Sequence, residues 1–327
     1  MRVTLYQRRP QGANYSVERL FTDVRTSFPP GIDARVAVCR FPSRGIWRRI
    51  YDAIEAVFRQ GEVNHITGDV HFLALLLHRK KTVLTILDLV SVHRLQGIRR
   101  SLFLFLWYRW PMKRSAMVTV ISEATKEDLL RHVSVPPQKI RVVHCCVSDD
   151  FIYIQRIFNE TKPVILQVGT KPNKNLQRVA EALRGVPCHL RIIGELPDQD
   201  ARLLQLHEVD YSSVSGITDA ELLEEYRRCD LLMFASTFEG FGLPIIEAQA
   251  TGRPVITSDL PSMAEVAGGS ACLADPFDVQ SIRAGVIKII NDSRYRGNLI
   301  ELGLENVKRF RAEAIAAQYA DIYRELA

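Results

Sequence analysis

The stretch from residue 236 to residue 247, STFEGFGLPIIE, combines a glycine-rich turn with two carboxylates, Glu239 and Glu247, eight positions apart. An apolar segment typical of a β-strand precedes it at 230–235, and the residues that follow are typical of a helix starting near Pro244. Glycines let a backbone approach a ligand closely, and a helix N-terminus offers N–H groups to an anion. A phosphate beside carboxylates that accept sugar hydroxyls predicts a nucleotide-sugar site.

Short β-rich segments alternate with helical patterns along the whole chain, which predicts parallel sheets covered by helices on both faces. Because the pattern divides near residues 151–162, we expect two Rossmann-like α/β domains. The strand candidates are 2–6, 34–39, 63–67, 82–87, 117–121, 140–145, 163–168, 189–193, 230–235, 254–257 and 271–274. The helical candidates include 16–27, 46–59, 123–132, 174–184, 219–228 and 277–291, with Ser122 and Thr218 as predicted N-caps.

A second candidate loop follows the strand predicted at 163–168. Gly169 ends this strand, and Lys171 and Lys174 lie in the turn before the next helix. In doubly wound sheets, ligands bind beyond the carboxyl ends of the strands. Lysines at that edge are suited to a diphosphate group, although both residues could also be ordinary loop lysines.

The E-x7-E pattern of Glu239 and Glu247 resembles the signature of the retaining glycosyltransferases of family 4, and a weaker resemblance extends along nearly the whole chain. It implies the GT-B fold, an α/β architecture of two Rossmann-like domains with a cleft between them. We expect an N-terminal acceptor-binding domain at 1–155 and a C-terminal nucleotide-sugar-binding domain at 156–305. The last segment, 306–327, is then a helix that crosses back to the N-terminal domain.

The resemblance also assigns roles within the donor site. Glu247 is expected to accept hydrogen bonds from the ribose hydroxyls, and Glu239 to lie near the donor sugar as a catalytic residue. Lys174, a second catalytic candidate, matches a lysine that contacts the donor phosphates. Thr170 stands where an arginine is usual, so Lys171 is the candidate substitute. The further donor-binding candidates are Gly169, Ile217 near the base, and Gly240, Phe241, Gly242 and Leu243 through their backbone N–H groups.

The first half of the chain matches the family less well. Gly12 alone represents the usual glycine-rich acceptor or phosphate loop after the first strand. His71 and Asp88 follow two later strands and are the catalytic candidates of this half, although a lone histidine is more often structural. Leu87 stands where many family members have a histidine that contacts the donor sugar. Two interpretations stay open: another residue makes this sugar contact, or activity is reduced or lost.

Charge is divided unevenly, because residues 1–155 carry a net charge of +11 and residues 156–327 a net charge of −5, giving +6 in total. A basic half suits an anionic lipid, a phosphate-bearing acceptor or nucleic acid, and equally a solubilising surface without a partner. Residues 98–114 join aromatic and basic side chains, as in a segment at an anionic membrane surface or in a buried helix with basic ends. The resemblance favours the membrane surface, because family members often act on lipid-linked acceptors. We find no nucleic-acid-binding motif.

The remaining composition predicts a cytoplasmic protein. Residues 98–114 suggest, as an alternative, a peripheral position on the inner face of the membrane. The N-terminus lacks the apolar core of a signal peptide, and the apolar stretches are too short to span a bilayer. The six scattered cysteines suit buried, reduced thiols. We expect no bound cofactor and no metal, and treat the D-x-D sequence at 198–200 as a helix start.

The expected activity, implied by the resemblance, is that of a retaining, metal-independent hexosyltransferase. It would move a mannose- or glucose-type sugar from a nucleoside diphosphate of the UDP or GDP type to a glycan or lipid-linked acceptor, in bacterial surface polysaccharide assembly. The alternative is a catalytically degenerate GT-B protein that binds a nucleotide or a partner, which Leu87 and Thr170 motivate. The sequence leaves the base, the sugar and the acceptor open.

Overall fold

A computed structural model describes residues 1–9 and 16–327. The chain forms two compact units, one made of residues 1–146 and 312–327 and the other of residues 147–311. The division between the units therefore falls at Cys146, before the boundary expected at residue 155. Strand pairing explains the difference, because the last strand of the first unit ends at Val142 and the chain then continues without further strand until Val164.

The first unit is built on a six-stranded parallel sheet with the strand order β2-β1-β3-β4-β5-β6. Every residue of β3, β4 and β5 is buried, as expected for a parallel sheet with helices on both faces. The bounds of β1 to β5 agree within one residue with the predicted segments, whereas β6 ends three residues before the predicted 140–145. The strands are β1 Arg2–Gln7, β2 Asp33–Val38, β3 Val63–Ile66, β4 Thr82–Ile86, β5 Met117–Val120 and β6 Ile140–Val142.

The helices of this unit follow its strands in sequence, with α1 before β2 and α2 before β3. The Ser122 side chain accepts a hydrogen bond from the backbone N–H of Thr125, which confirms the predicted N-cap of α6. A π-helical turn, Phe105–Arg109, joins α4 to α5. The helices are α1 Ser16–Thr26, α2 Ile46–Val57, α3 Val90–His93, α4 Gly97–Leu104, α5 Trp110–Arg114 and α6 Glu123–His132.

The second unit also contains a six-stranded parallel sheet, with the order β12-β11-β10-β7-β8-β9. Apolar side chains of its strands and helices form a continuous core on this sheet. The strands are β7 Val164–Val168, β8 His189–Ile193, β9 Tyr211–Val214, β10 Leu231–Phe234, β11 Val255–Ser258 and β12 Cys272–Ala274. The helices are α7 Leu176–Leu183, α8 Asp198–Leu206, α9 Asp219–Arg228, α10 Leu243–Ala250, α11 Pro261–Ala267, α12 Val279–Asn291 and α13 Ser293–Val307.

Strand β9 is absent from the sequence-based prediction. Its sequence, YSSV, has two serines at its centre, and the strand pairs only with β8 at the edge of the sheet. Backbone pairing with β8 and the contact of the Ser212 hydroxyl with Arg191 stabilise it instead of buried apolar side chains. Helix α9 begins where predicted, with Thr218 and Glu221 forming a capping box.

The end of the chain differs from the single helix expected at 306–327. Helix α13 ends at Val307, a short 3-10 turn follows, and the backbone of Arg311 is extended, so the helical path is broken there. A separate helix, α14 Ala312–Leu326, belongs to the first unit. It packs beside α1, where the ring centroids of Phe21 and Tyr319 lie 5.9 Å apart.

A buried histidine connects α14 to the sheet of the first unit. His65, in β3, lies 2.6 Å from the Tyr323 hydroxyl through Nδ1 and 2.6 Å from the Thr85 hydroxyl through Nε2. Thr85 continues this line of hydrogen bonds to Thr119 at 2.7 Å. Burial lowers the pKa of His65 to about 3, so its imidazole is neutral in the folded protein. His65 is therefore a structural residue.

Acid is expected to destabilise the fold through His65. Its folded pKa of about 3 lies below the unfolded value of about 6.5, so the unfolded chain takes up the proton first. The stability that neutral His65 contributes is present above pH ~6.5 and is lost as the pH falls from there toward ~3, up to about 5 kcal/mol in total. Urea unfolding at successive pH values measures this loss. H65Q should be less stable than the wild type at neutral pH, but its free energy of unfolding should fall less on acidification. If the free energy of unfolding of H65Q depends on pH as steeply as that of the wild type, His65 is not the group responsible.

All six cysteines are buried, as the sequence predicts for structural thiols. Their pKa values, where shifted, are raised by burial, which keeps these thiols protonated and unreactive. Among the residues that the structure describes, no helix is both long enough and apolar enough to cross a bilayer.

Candidate functional site

The topological switch point of the second sheet lies between β7 and β10. The chain runs from β7 outward to β8 and β9 on one side, and from β10 outward to β11 and β12 on the other. Ligands of doubly wound sheets bind outside the carboxyl ends of the strands at this point. The loops that follow β7 and β10 are the two predicted donor loops, and they touch directly, since the Thr237 N–H donates to the Asn173 carbonyl at 2.8 Å.

Lys174 and Glu239 form an ion pair between these two loops. The distance from Lys174 Nζ to Glu239 Oε1 is 2.6 Å, and the side chains are only 15% and 17% exposed. The ammonium also lies 4.5 Å from the ring centroid of Phe234, at the end of β10. Gly169, with φ +93°, leaves room for the lysine stem, because a Cβ there would lie 2.9 Å from Lys174 Cε. The structure thus brings three predicted donor residues together around one fixed cation.

Asn173 holds the loop of Glu239 in place and was not singled out from the sequence. Its side-chain amide donates to the Phe238 carbonyl at 3.0 Å and to Glu239 Oε1 at 3.2 Å. From the other side, the Ser262 hydroxyl donates to the Glu239 carbonyl at 2.8 Å. Asparagine is common in turns, so its presence after Pro172 gave no signal for this role.

The glycine-rich turn is shaped by close packing at Gly242. Its φ of +111° suits glycine, and a Cβ would lie 3.0 Å from Ile245 Cδ1. Helix α10 begins at the next residue, Leu243, with Pro244 in its first turn, so its first N–H groups face out of the carboxyl edge of the sheet. The side chain of Phe241 is buried, with its ring 5.7 Å from that of Phe310, which leaves only its backbone for the predicted donor contact.

Glu247 is oriented by a buried tyrosine. The Tyr226 hydroxyl, on α9, donates to Glu247 Oε2 at 2.6 Å. Tyr226 is fully buried, and burial, followed by the charge of Glu247, raises its pKa well above 10, so the hydroxyl remains a donor. A carboxylate has about four acceptor positions, and Tyr226 uses one of them. Sequence reasoning missed Tyr226, because it reads as an ordinary core residue of an amphipathic helix.

The remaining donor candidates of this unit occupy different environments. Lys171 is exposed. Thr170, which stands where an arginine is usual, donates its hydroxyl hydrogen to the Glu195 carbonyl at 2.6 Å. Ile217 is half-buried in the turn between β9 and α9, next to the capping residue Thr218. Gly240 lies in the turn between Glu239 and Phe241.

In the first unit, His71 and Asp88 lie near one another at the carboxyl ends of β3 and β4. His71 is buried, and its Nδ1 lies 2.8 Å from the Trp107 carbonyl, so Nδ1 carries the proton and Nε2 is the acceptor. Burial lowers the pKa of His71, while the carboxylates of Asp69 and Asp88 oppose that shift. Desolvation by surrounding atoms raises the pKa of Asp88 even though its side chain reaches the surface, and Asp69 adds to the effect.

Arg8 directly follows β1, which lies beside β3 in the first sheet. Its guanidinium contacts Glu18 at 2.8 Å and Asp69 at 3.1 Å, so carboxylates of the protein itself already neutralise it. Gly12, the predicted loop glycine, falls outside the described residues.

His93, which follows Leu87 in sequence, belongs to a separate cluster. Its Nε2 lies 2.7 Å from Asp128 Oδ2, and Asp128 Oδ1 lies 3.5 Å from His132 Nε2. These three side chains could reach a common metal ion, since their ligand atoms lie within 4.8 Å of one another. The Arg100 guanidinium, 3.3 Å from His132 Nε2, opposes a cation there. Asp128 and His132 were not predicted as a group.

Family models match both halves of the chain. Residues 2–151 match the model described as Glycosyltransferase Family 4, and residues 149–305 match the one described as Glycosyl transferases group 1. Together the two family models cover residues 2–305, which include both sheets and the glycine-rich turn.

Similar proteins include O-antigen chain mannosyltransferase B of Escherichia coli, 28% identical over 64% of this chain, which spans only 61% of that relative's length. O-antigen chain mannosyltransferase RfbU of Salmonella typhimurium is 25% identical over 79% of this chain and 74% of its own. Among solved structures, Anabaena Alr3699/HepE in complex with UDP and glucose has a TM-score of 0.79 at 14% identity, covering 99% of this chain and 100% of its own. This last likeness concerns the fold.

Proposed function

Because the chain belongs to glycosyltransferase family 4 and has the GT-B fold, we propose that it is a hexosyltransferase. It would move a mannose- or glucose-type sugar from a nucleoside diphosphate to a glycan or lipid-linked acceptor, in bacterial surface polysaccharide assembly. The observation that carries the proposal is the Lys174–Glu239 ion pair at the switch point of the second sheet, within an intact E-x7-E frame. The names of the O-antigen mannosyltransferase relatives support the mannose-type donor and the pathway.

The chemistry requires stabilisation of a diphosphate leaving group. Negative charge grows on the departing phosphate as the bond to the anomeric carbon breaks. Lys174 is held in place by Glu239, by the Phe234 ring and by close packing against Gly169. The N-terminus of α10, which directly follows the glycine-rich turn, offers further N–H donors to the phosphate. Donors preorganised in this way are commonly worth about 3 kcal/mol each in the transition state.

We further propose that transfer proceeds with retention and without a metal ion. The departing phosphate takes the proton of the acceptor hydroxyl, and the positive charge of Lys174 replaces that of a divalent cation at the diphosphate. Glu239 orients the donor sugar and faces the cation-like anomeric carbon. Glu247, held by Tyr226, accepts the ribose hydroxyls, and Ile217 lies beside the base. His71, whose Nε2 is an acceptor, and Asp88 are the proposed catalytic residues of the first unit.

A lipid-linked acceptor would place the protein at a membrane. We propose that residues 98–114 make peripheral contact with an anionic membrane surface. The exposed side chains of this segment support the proposal, as Ile98, Leu102 and Trp110 face solvent between arginines.

Thermal unfolding with saturating UDP, GDP, ADP and CMP tests the donor site. A ligand at about 100 times its dissociation constant adds roughly 2.7 kcal/mol, which should raise the midpoint by several degrees. We expect selective protection by UDP or GDP, undiminished in excess EDTA. Protection by neither, together with no sugar release from UDP- or GDP-hexoses, would contradict the proposal in favour of a degenerate GT-B protein. Protection or turnover that EDTA abolishes and a divalent ion restores would contradict metal independence.

A further inference from the structure

Helix α2 has the reverse of the usual arrangement of side chains. The residues it buries against the protein are small or polar: Asp52, Ala53 and Ala56. Its large apolar residues face solvent, and at 100° per residue they fall within one sector of the helix. They are Ile46, Trp47, Ile50, Tyr51, Ile54 and, at the C-cap, Phe58.

This exposure is unusual in extent. Trp47 is 79% exposed and Phe58 84% exposed. Single exposed apolar residues are common on proteins, but a contiguous apolar face marks an interaction site. A surface helix that only stabilised the fold would turn such side chains inward, because burying each of them against the sheet would favour the folded state.

Helix α2 lies next to the segment around the π-helical turn, which exposes apolar residues of its own. The Arg49 guanidinium, on α2, lies 4.4 Å from the ring centroid of Trp107, and the Trp107 ring stacks on that of Phe103 at 5.7 Å. We call the combined area the α2–α4 surface. Its exposed apolar members beyond α2 are Ile98, Leu102, Phe105, Leu106 and Trp110.

The charge around this surface is positive. Arg44 and Arg48 flank the first turn of α2 and are exposed. The acidic residues of α2 are both engaged: Asp52 is buried and accepts from the backbone of Arg40 at 3.0 Å, and Glu55 forms an ion pair with Arg59. Residues 97–114 contain arginines and a lysine but no acidic residue. Two copies of such a surface would repel each other, whereas an anionic bilayer attracts it.

We propose that α2 inserts its apolar face into the headgroup region of an anionic membrane, as the principal anchor of the α2–α4 surface. This inference rests on the membrane contact included in the proposed function and names the element that makes it. Tryptophan and phenylalanine would enter the boundary between headgroups and acyl chains, and the arginines would contact lipid phosphates while their stems cover apolar surface.

Flotation of the full chain with vesicles tests this inference. We expect binding to phosphatidylcholine vesicles that contain phosphatidylglycerol and weak binding to pure phosphatidylcholine. The double variant W47S/F58S should reduce the bound fraction at least tenfold, because two inserted aromatic groups are removed. R44E/R48E should weaken binding to the anionic vesicles specifically. The variants are made at exposed positions, so folding, followed by thermal unfolding, should be unchanged.

The matched control is I157S/L206S. These residues are 93% and 72% exposed and lie in the second unit. The control should float like the wild type. Equal flotation of W47S/F58S and the control would overturn the inference, as would no flotation of the wild type. A concentration-dependent dimer that W47S/F58S abolishes would assign the face to a second copy instead.

Thermal unfolding with nucleotides distinguishes failure of the membrane-anchor inference from failure of the transferase proposal. W47S/F58S should keep the midpoint shift with the protecting nucleotide, because α2 contributes no residue to the donor loops. If W47S/F58S loses vesicle binding but keeps the nucleotide-induced shift in the unfolding midpoint, the membrane anchor is separate from the donor site. A wild type that floats but gains no protection from UDP or GDP would contradict the donor site and leave the anchor standing.

Discussion

Replacing Lys174 with alanine is expected to lower kcat by about 10²- to 10³-fold, the loss typical for one preorganised donor to a developing negative charge. The ammonium is fixed by Glu239 at 2.6 Å and by the Phe234 ring at 4.5 Å, so no reorganisation is needed when charge forms on the leaving diphosphate. The free energy of unfolding should change less, because Glu239 keeps its hydrogen bond from Asn173 at 3.2 Å when the lysine is removed. Steady-state kinetics with the donor that protects the protein, and urea unfolding, measure the two effects.

Lys162 provides the matched control for this substitution. It is also paired with a carboxylate of the second unit, Asp210, at 2.8 Å, but it lies away from the switch-point loops. K162A should leave kcat within about twofold of the wild type. If K174A and K162A behave alike, or if K174A loses stability and activity in equal proportion, Lys174 is a structural residue. G169A should also lower kcat, but by less than K174A does, since a Cβ at that position would displace the lysine stem.

Replacing Glu247 with alanine is expected to raise the Kd of the protecting nucleoside diphosphate by about 10- to 100-fold. Hydrogen bonds to a charged group are worth about 1.5–3 kcal/mol, and a ribose offers two hydroxyls to this carboxylate. Isothermal titration calorimetry measures the change directly. Y226F should cause a smaller loss, because it removes the hydroxyl that orients Glu247 at 2.6 Å but keeps the carboxylate.

E225A is the control for Glu247. Glu225 is likewise engaged at 2.6 Å, with Arg191, so its loss removes a charged contact of the same unit without touching the predicted ribose position. Nucleotide affinity should be retained in E225A. An unchanged Kd in E247A, or equal weakening in both variants, would rule out a ribose contact for Glu247.

Most secondary structure was predictable because its signals are local. Buried strands such as β4 and β10 read as continuous β-branched and apolar runs, and the capping residues Ser122 and Thr218 mark helix starts within a few positions. Strand β9 escaped because its stability comes from pairing with β8 rather than from its own composition. The break at Arg311 escaped because the residues on both sides have a helical pattern.

Within the candidate site, the glycine-rich turn before α10 was predictable because its residue types are distinctive for their positions. The site was not predictable where a common residue acquires a role from a neighbour that is distant in sequence. Asn173 holds the Glu239 loop, and Tyr226 orients Glu247, yet each is unremarkable in its own segment. His65, a polar residue within β3, is buried in the interior of the first unit, where it contacts the Thr85 hydroxyl.

The α/β alternation, the two-domain organisation and the E-x7-E motif could be predicted from the amino-acid sequence, because their signals are local. Which loops meet is a property of the folded chain alone. Lys174 and Glu239 are 65 residues apart, and they pair because the strand order places β7 beside β10. Strand order is set by packing of whole elements against one another, and no local pattern of residues records it.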